Sequence, residues 1–200
     1  GAKVLQTRSV QLAMIEGVRL QVLSSYSDQP GTLVVDEDEI VEQAVVSGIT
    51  YSRDEAKITL VGVSDKPGVA ARIFGPLSDA NVNVDMIVQN VSEDGKTTDL
   101  TFTVTRGDLR HAVETLESVK DDIEYRNLVA ADDVVKVSVI GVGMRSHAGV
   151  AQQMFSTLGE KGINIQVIST SEIKVSVLIS EDYTELALRA LHTAYGLDAE

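Results

Sequence analysis

VSDKPGVAARIFGPLSDANVNVDMIVQN, residues 63–90, reads as a strand end, a turn, a helix and a second strand. Asp65 is the expected N-cap, a side-chain oxygen able to accept from the unpaired amides that open a helix, with Pro67 suited to the first helical position. Val69, Ile73, Phe74, Leu77 and Ala80 then recur at helical spacing and form one apolar stripe that must be buried. Pro76 removes a backbone donor and crowds the preceding turn, which predicts a kink or a local 3₁₀ turn. Val82, Val84, Met86 and Val88 alternate with Asn83, Asp85, Ile87 and Gln89, the pattern of a strand with one buried face.

The same grammar returns in residues 142–171. Gly149 follows a turn two residues longer, Val150, Met154, Phe155 and Leu158 repeat the stripe, and Ile163, Ile165 and Val167 alternate with Asn164, Gln166 and Ile168. The preceding strands match as well, Lys57-Ile-Thr-Leu-Val-Gly-Val63 against Lys136-Val-Ser-Val-Ile-Gly-Val142. The chain therefore contains an internal duplication, and its 200 residues divide into two small domains rather than one large one.

Hydrophobic content of 44% with 24% charged residues is that of a globular chain. A net charge of −13 repels phosphate backbones and anionic lipid surfaces, so neither nucleic acid nor membrane is expected as a partner. Aromatic residues make up 4% and Trp is absent, which leaves few platforms for stacking bases. That argues against an RNA-binding use of the same topology. Without Cys there is neither a disulfide framework nor a zinc–thiolate site; no long apolar run or signal-like start is present, so the expected location is the cytoplasm.

Residues 1–25 carry a short helix on Val10, Leu12, Ala13 and Ile15 and then a strand over 18–24, too little to make a domain, and look like the tail of a larger α/β unit. Residues 24–43 read as a linker whose run Asp36-Glu-Asp-Glu39 is a solvated charge cluster, not a metal site. Strands are expected over 44–52 and 55–63. After the helix and strand of the opening stretch, Glu93-Asp-Gly-Lys96 is a hairpin turn leading into a strand over 98–104, with Leu100, Phe102 and Val104 facing one way. A helix over 109–119 and a strand over 124–129 complete a βαββαβ unit. The second unit supplies a strand over 134–142, a helix over 149–160, strands over 164–169 and 173–179 and a helix over 183–195. Only a short polar tail remains for its fourth strand. Residues 44–52 are therefore expected to pair into the second sheet, since an open edge invites aggregation. The fold class is α+β, with two ferredoxin-like βαββαβ units over 53–132 and over 44–52 plus 133–200, the first inserted in the second.

Tandem βαββαβ units, each with a glycine turn entering its first helix, resemble ACT domains, small-molecule sensors that usually bind amino acids. The segments GVSDKPGVAARIF, NVDMIVQNVSEDGKTTDLTFTV, KVSVIGVGMRSHAGVAQQMF and ISTSEIKVSVLI are similar to the regulatory region of aspartate kinase, and GAKVLQTRSVQLAM with PGTLVVDEDEIVEQAVVSGI to the end of its kinase domain. The Lys-Phe-Gly-Gly phosphate-binding motif of that kinase domain does not occur in this sequence. The resemblance implies the regulatory β subunit found in some bacterial aspartate kinases, extended by a remnant of the catalytic domain over residues 1–43. It implies a homodimer through ACT domains, a catalytic aspartate kinase subunit as partner, and lysine, threonine or both as feedback inhibitors bound at ACT interfaces. ATP and Mg would belong to the catalytic domain, and no cofactor is expected here. The effector-contacting positions it implies are Asp65, Gly68, Val69, Ala70, Asn83, Val84, Asp85, Gln89, Asn90, Ser92 and Thr101, then Thr170 and Glu172 in the second unit. The second turn, Arg145-Ser-His-Ala-Gly149, lacks the Asp of the first.

The residues support that reading on their own chemistry. Backbone amides at a helix N-terminus attract a carboxylate, while Asp85 is placed to hold an ammonium, and an α-amino acid carries both charges. The plainer readings are that Asp65 only caps, Gly68 only packs, and Gln89, Asn90, Ser92 and Thr101 are solvated strand residues. An enzyme acting through Asp65, Asp85 and His147 is the alternative of another class, and a regulator of a different enzyme a second one. His111 and His192 fall on amphipathic helices as surface or boundary residues, and no GxxxxGK[ST] or HExxH motif is present.

Overall fold

The computed structural model describes residues 4–35, 45–92, 95–141 and 148–198. Helix α1 (Thr7–Ile15) buries none of its side chains, and strands β1 (Leu20–Val22) and β2 (Thr32–Val34) form a two-stranded antiparallel ribbon. The stretch expected to be linker thus contributes β2, because Thr32, Leu33 and Val34 pair with Val22, Gln21 and Leu20. A helix and a ribbon enclose no core, and Leu12, Met14, Ile15 and Leu23 stay exposed.

The duplication is realised as two four-stranded antiparallel sheets. The first runs β5 (Asp85–Val91), β6 (Thr97–Val104), β4 (Ala56–Ser64), β7 (Asn127–Ala131). Alternation along β4 and β6 sends Ile58, Leu60, Leu100 and Phe102 to one face, where α2 (Val69–Asp79), α3 (Leu109–Ser118) and α4 (Lys120–Ile123) cover them with Ile73, Leu77, Leu116 and Ile123. Phe74 meets Phe102 edge to face, with centroids 5.3 Å apart. Helix α2 continues through Pro76 as α-helix; the lost donor falls near its exposed end, and the Ala80 amide still donates to the Pro76 carbonyl at 3.0 Å.

The second sheet runs β3 (Val46–Ser52), β8 (Val134–Gly141), β10 (Lys174–Ser180), β9 (Val167–Thr170), covered by α5 (Ala148–Glu160) and α6 (Thr184–Ala194). Its core is valine-rich: Val135, Val137, Val139, Val175 and Val177 under Met154, Leu158 and Leu191. Its fourth strand comes from before the first unit. Ile49 pairs with Val139, Thr50 with Ser138 and Tyr51 with Val137, so the whole first unit lies between two neighbouring strands of the second sheet.

The helix-free faces of the two sheets meet along β5 and β9. Met86 and Val88 pack with Val134, Val167 and Leu178. Lys136 Nζ reaches Glu55 at 2.5 Å and Asp85 at 2.9 Å, Lys57 donates to Gln166, and Arg106 donates to Glu181 (2.7 Å) and to the Val134 carbonyl (3.2 Å). The strand expected from Val82 begins only at Asp85, and its ladder to β6 is interrupted between Asp85 and Val88 by a β-bulge. The bulge breaks the expected alternation: Val82 and Val84 belong to the first core, Met86 and Val88 to the contact between units.

Candidate functional site

The turn before α2 differs from its expected form in one respect that matters. Lys66-Pro67-Gly68-Val69 is a type II turn, with Pro67 at its second position, Gly68 at φ 88°, ψ 0°, and the Val69 amide donating to the Lys66 carbonyl at 3.1 Å. Gly68 is therefore the N-cap, Pro67 lies before the helix, and Asp65 does not cap: its own amide is spent on the Lys96 carbonyl at 2.9 Å, three residues too early to reach the helix amides. No side chain among the described residues caps α2. The helix thus opens with its first-turn amides, Ala70 and Ala71 among them, uncapped by those residues and carrying the positive end of the helix dipole.

Asp65, Lys66, Pro67, Gly68, Val69, Ala70 and Gln89 line one open cavity of 430 Å³ at this helix end. Gln89 arrives there because its ladder partner is Leu100, a core residue, which puts both on the helix-bearing face. On the rim Lys66 Nζ holds Glu124 at 2.8 Å, and that hydrogen bond, with the charge behind it, keeps the Glu124 carboxyl below the ordinary value. Five expected residues, Asp65, Gly68, Val69, Ala70 and Gln89, are thus brought together, and they set a carboxylate beside uncapped helix amides.

The others lie elsewhere. Asp85, expected to receive an effector ammonium, faces the second unit and already holds an ammonium of the chain itself. Its Oδ2 accepts from Lys136 and its Oδ1 from the Met86 amide at 2.8 Å. Burial works to raise the Asp85 carboxyl, but these two hydrogen bonds outweigh it and leave it below the ordinary value. Lys136 is raised in turn, its desolvation overcome by Glu55 and Asp85. Thr101 lies on the helix-free face, its hydroxyl 3.0 Å from that of Thr59. Ser92 accepts from the Thr97 hydroxyl at the hairpin, and the Asn90 carbonyl accepts from Thr98. Asn83 is exposed and Val84 packs against the first core. Thr170 and Glu172 are exposed where β9 turns into β10, a separate region of the second unit. The second turn, with His147, lies outside the described residues; Gly149 is already inside α5. Sequence reasoning missed Lys136, although its alignment with Lys57 at the head of the repeated strand was the available signal.

Among the described residues no cluster of His, Asp and Glu is arranged to hold a metal ion, and no helix is long and apolar enough to cross a membrane.

The ACT domain family matches residues 57–121, and a second ACT domain family matches residues 137–195. An aspartokinase from Pseudomonas aeruginosa is 57% identical over 201 residues, a match that takes in 100% of this chain and 48% of the relative, so the chain spans about half the length of the curated relatives it matches. In a crystal structure of aspartokinase alpha and beta subunits, the matched chain is 54% identical with a TM-score of 0.71, over 76% of this chain and 99% of that one. The ligand-free regulatory subunit of aspartate kinase from Thermus thermophilus is 39% identical with a TM-score of 0.71, over 75% and 98%. With two ACT domains in succession and 54% identity to a relative matched over nearly its full length, the chain belongs to the aspartate kinase family, as a regulatory tandem-ACT region.

Proposed function

We propose that this chain is an amino-acid sensor: free lysine, threonine or both bind in the cavity bounded by Asp65–Ala70 and Gln89, and occupancy lowers the activity of an aspartate kinase catalytic subunit. The observation that carries this reading is the juxtaposition of the Asp65 carboxylate with the uncapped N-terminus of α2 in one cavity. The helix amides suit an α-carboxylate and Asp65 an ammonium, the two charges of a free amino acid. Gln89 supplies a neutral donor and acceptor from the other side. The Asp85 carboxylate is committed to Lys136, so the ammonium role passes to Asp65 in this reading.

The units we assign to this role are residues 53–132 and residues 44–52 with 133–200. They act as a homodimer in the cytoplasm, and the remaining expected positions other than the core-packed Val84, namely Asn83, Asn90, Ser92, Thr101, Thr170 and Glu172, belong to surfaces that a second copy would bring near a cavity. The coupling such control requires is on the order of 1–3 kcal/mol.

Calorimetry of the 200-residue chain against lysine, threonine and other common amino acids tests the reading. Saturable uptake of lysine or threonine is expected, and Asp65→Asn should weaken it about tenfold or more, the equivalent of losing a charge-assisted hydrogen bond of roughly 1.5–3 kcal/mol. Absence of uptake, or undiminished affinity in Asp65→Asn, would reject the site. Phosphorylation of aspartate by this chain without a catalytic subunit would reject the sensor role.

A further inference from the structure

Two halves of the contact between units descend from the same ancestral positions. Lys57 and Lys136 stand at the head of the repeated strand, and each reaches across to the other unit, Lys57 to Gln166 and Lys136 to Asp85. Gln166 and Asp85 are themselves equivalent, as are their neighbours Val167 and Met86, which both pack into the apolar contact. Only one half is ionic and only one is strained. Met86 is a non-glycine residue at φ 48°, almost wholly buried at the bulge, a conformation that persists only where its surroundings enforce it. Directly across the ladder from Asp85, the Thr103 hydroxyl is fully buried and has no hydrogen-bond partner among the described residues.

The bulge has a consequence for the cavity. Asp85 pairs with Thr103 but Val88 pairs with Thr101, so β5 carries one more residue than β6 between these rungs. Without it, Gln89 would lie opposite Asp99 instead of Leu100 and would point away from the helices. A one-residue change of register turns every side chain to the other face. The register that puts Met86 into the second unit is therefore the register that puts Gln89 into the cavity.

We infer that Lys136 is a positioning residue for the effector cavity, acting from the second unit: by binding Asp85 and Glu55 it holds β5 in its bulged register, and thereby couples the cavity to the contact between units. Lys136 is not among the residues lining the cavity. Its ammonium fixes Asp85 Oδ2 while Asp85 Oδ1 takes the amide of the strained Met86, so the carboxylate clamps the bulge from both sides. An occupant that needs Gln89 in place stabilises this register, and the register stabilises the occupant to the same degree.

This rests on the proposed effector site, and the test separates the two. Lysine and threonine are each titrated calorimetrically into the full chain, wild type and the variants Lys136→Met, Lys136→Arg and Asp85→Asn, and amide exchange is followed with and without ligand. Exchange in Ile58–Leu60 and Leu100–Phe102 reports whether the first core is intact. In Lys136→Met, exchange over Met86–Val88 is expected to quicken about tenfold while the core strands hold, and affinity for whichever amino acid binds the wild type to fall fivefold or more, the low end of ordinary coupling between sites. Lys136→Arg should restore both. Asp85→Asn should behave as Lys136→Met does, because it opens the same clamp from the other end.

Unchanged affinity in Lys136→Met overturns the inference. So does weakening in Asp85→Asn alone, which would make Asp85 a direct ligand. If the wild type takes up neither amino acid, the effector reading fails and the clamp is judged by the ligand-free exchange: a tenfold change confined to Met86–Val88 upholds it, and no change overturns it.

Discussion

The two ACT units began as copies, and they now differ at three places that correspond position by position. The first unit closes its own sheet with β7, whereas the second takes β3 from ahead of the insertion. In the first, the glycine of the helix-entry turn sits before the helix at φ 88°; in the second, Gly149 lies within α5 and needs no positive φ. Across the contact between them, Lys136 meets carboxylates while Lys57 meets an amide. Duplication therefore preserved what the cores require, alternating apolar strands under a layer of helices, and left the turn, the sheet edge and the contact free to diverge. The candidate site is found in the copy whose turn kept the left-handed glycine and an open helix end.

The widest separation of the two units should come from deleting residues 1–52. That removes β3 and uncovers the flank of β8, so exchange over β8 and β10 should rise by orders of magnitude while β4 and β6 stay protected. The reverse pattern would break the insertion reading. A subtler comparison sets Gly68→Ala against Gly149→Ala. Neither new methyl would meet an atom within 4 Å, so backbone conformation decides. The first should cost about 1–2 kcal/mol for a left-handed non-glycine residue, and the second should stabilise by about 0.5–1 kcal/mol as a helical Gly→Ala change. Urea titrations of the two variants yield both signs, and equal effects would mean that the turns are alike.

Acid separates the halves of the contact further. The Asp85 carboxyl is depressed, so its contribution is present above the ordinary value of 3.8 and is lost as pH falls through the lower folded value. Lys136 is raised, so its share is present below 10.5 and is lost only as pH rises beyond that. Wild type and Asp85→Asn should therefore differ in stability at neutral pH and converge in acid. A constant difference would exclude the carboxylate as the cause. The smallest effect should come from restoring symmetry: Gln166→Glu gives Lys57 a charged partner at an exposed position, worth roughly 0–1 kcal/mol and diminishing with salt.

Much of this was legible in the order of residues, for reasons of periodicity. The apolar alternation in Lys57–Val63 and Lys136–Val142, the helical stripes after each glycine turn and the strand pattern ahead of the first unit are properties of neighbouring positions, and they were enough for two βαββαβ units with the first inserted in the second. Asp65, Gly68, Val69, Ala70 and Gln89, which line one cavity, were marked out by the family resemblance and not by periodicity, and Gln89 reaches the cavity only through the bulge in β5. The tertiary structure alone decided what Asp85 meets. Alternation from Val82 and Val84 already sends its carboxylate away from the first core, but only the packing of the second unit makes that face a contact, where a lysine fifty-one positions away in the chain holds it. The bulge that no two-residue period announces turns Met86 and Gln89 instead. A local pattern specifies which residues share a face; only the packing of one sheet on another specifies which charges meet across it.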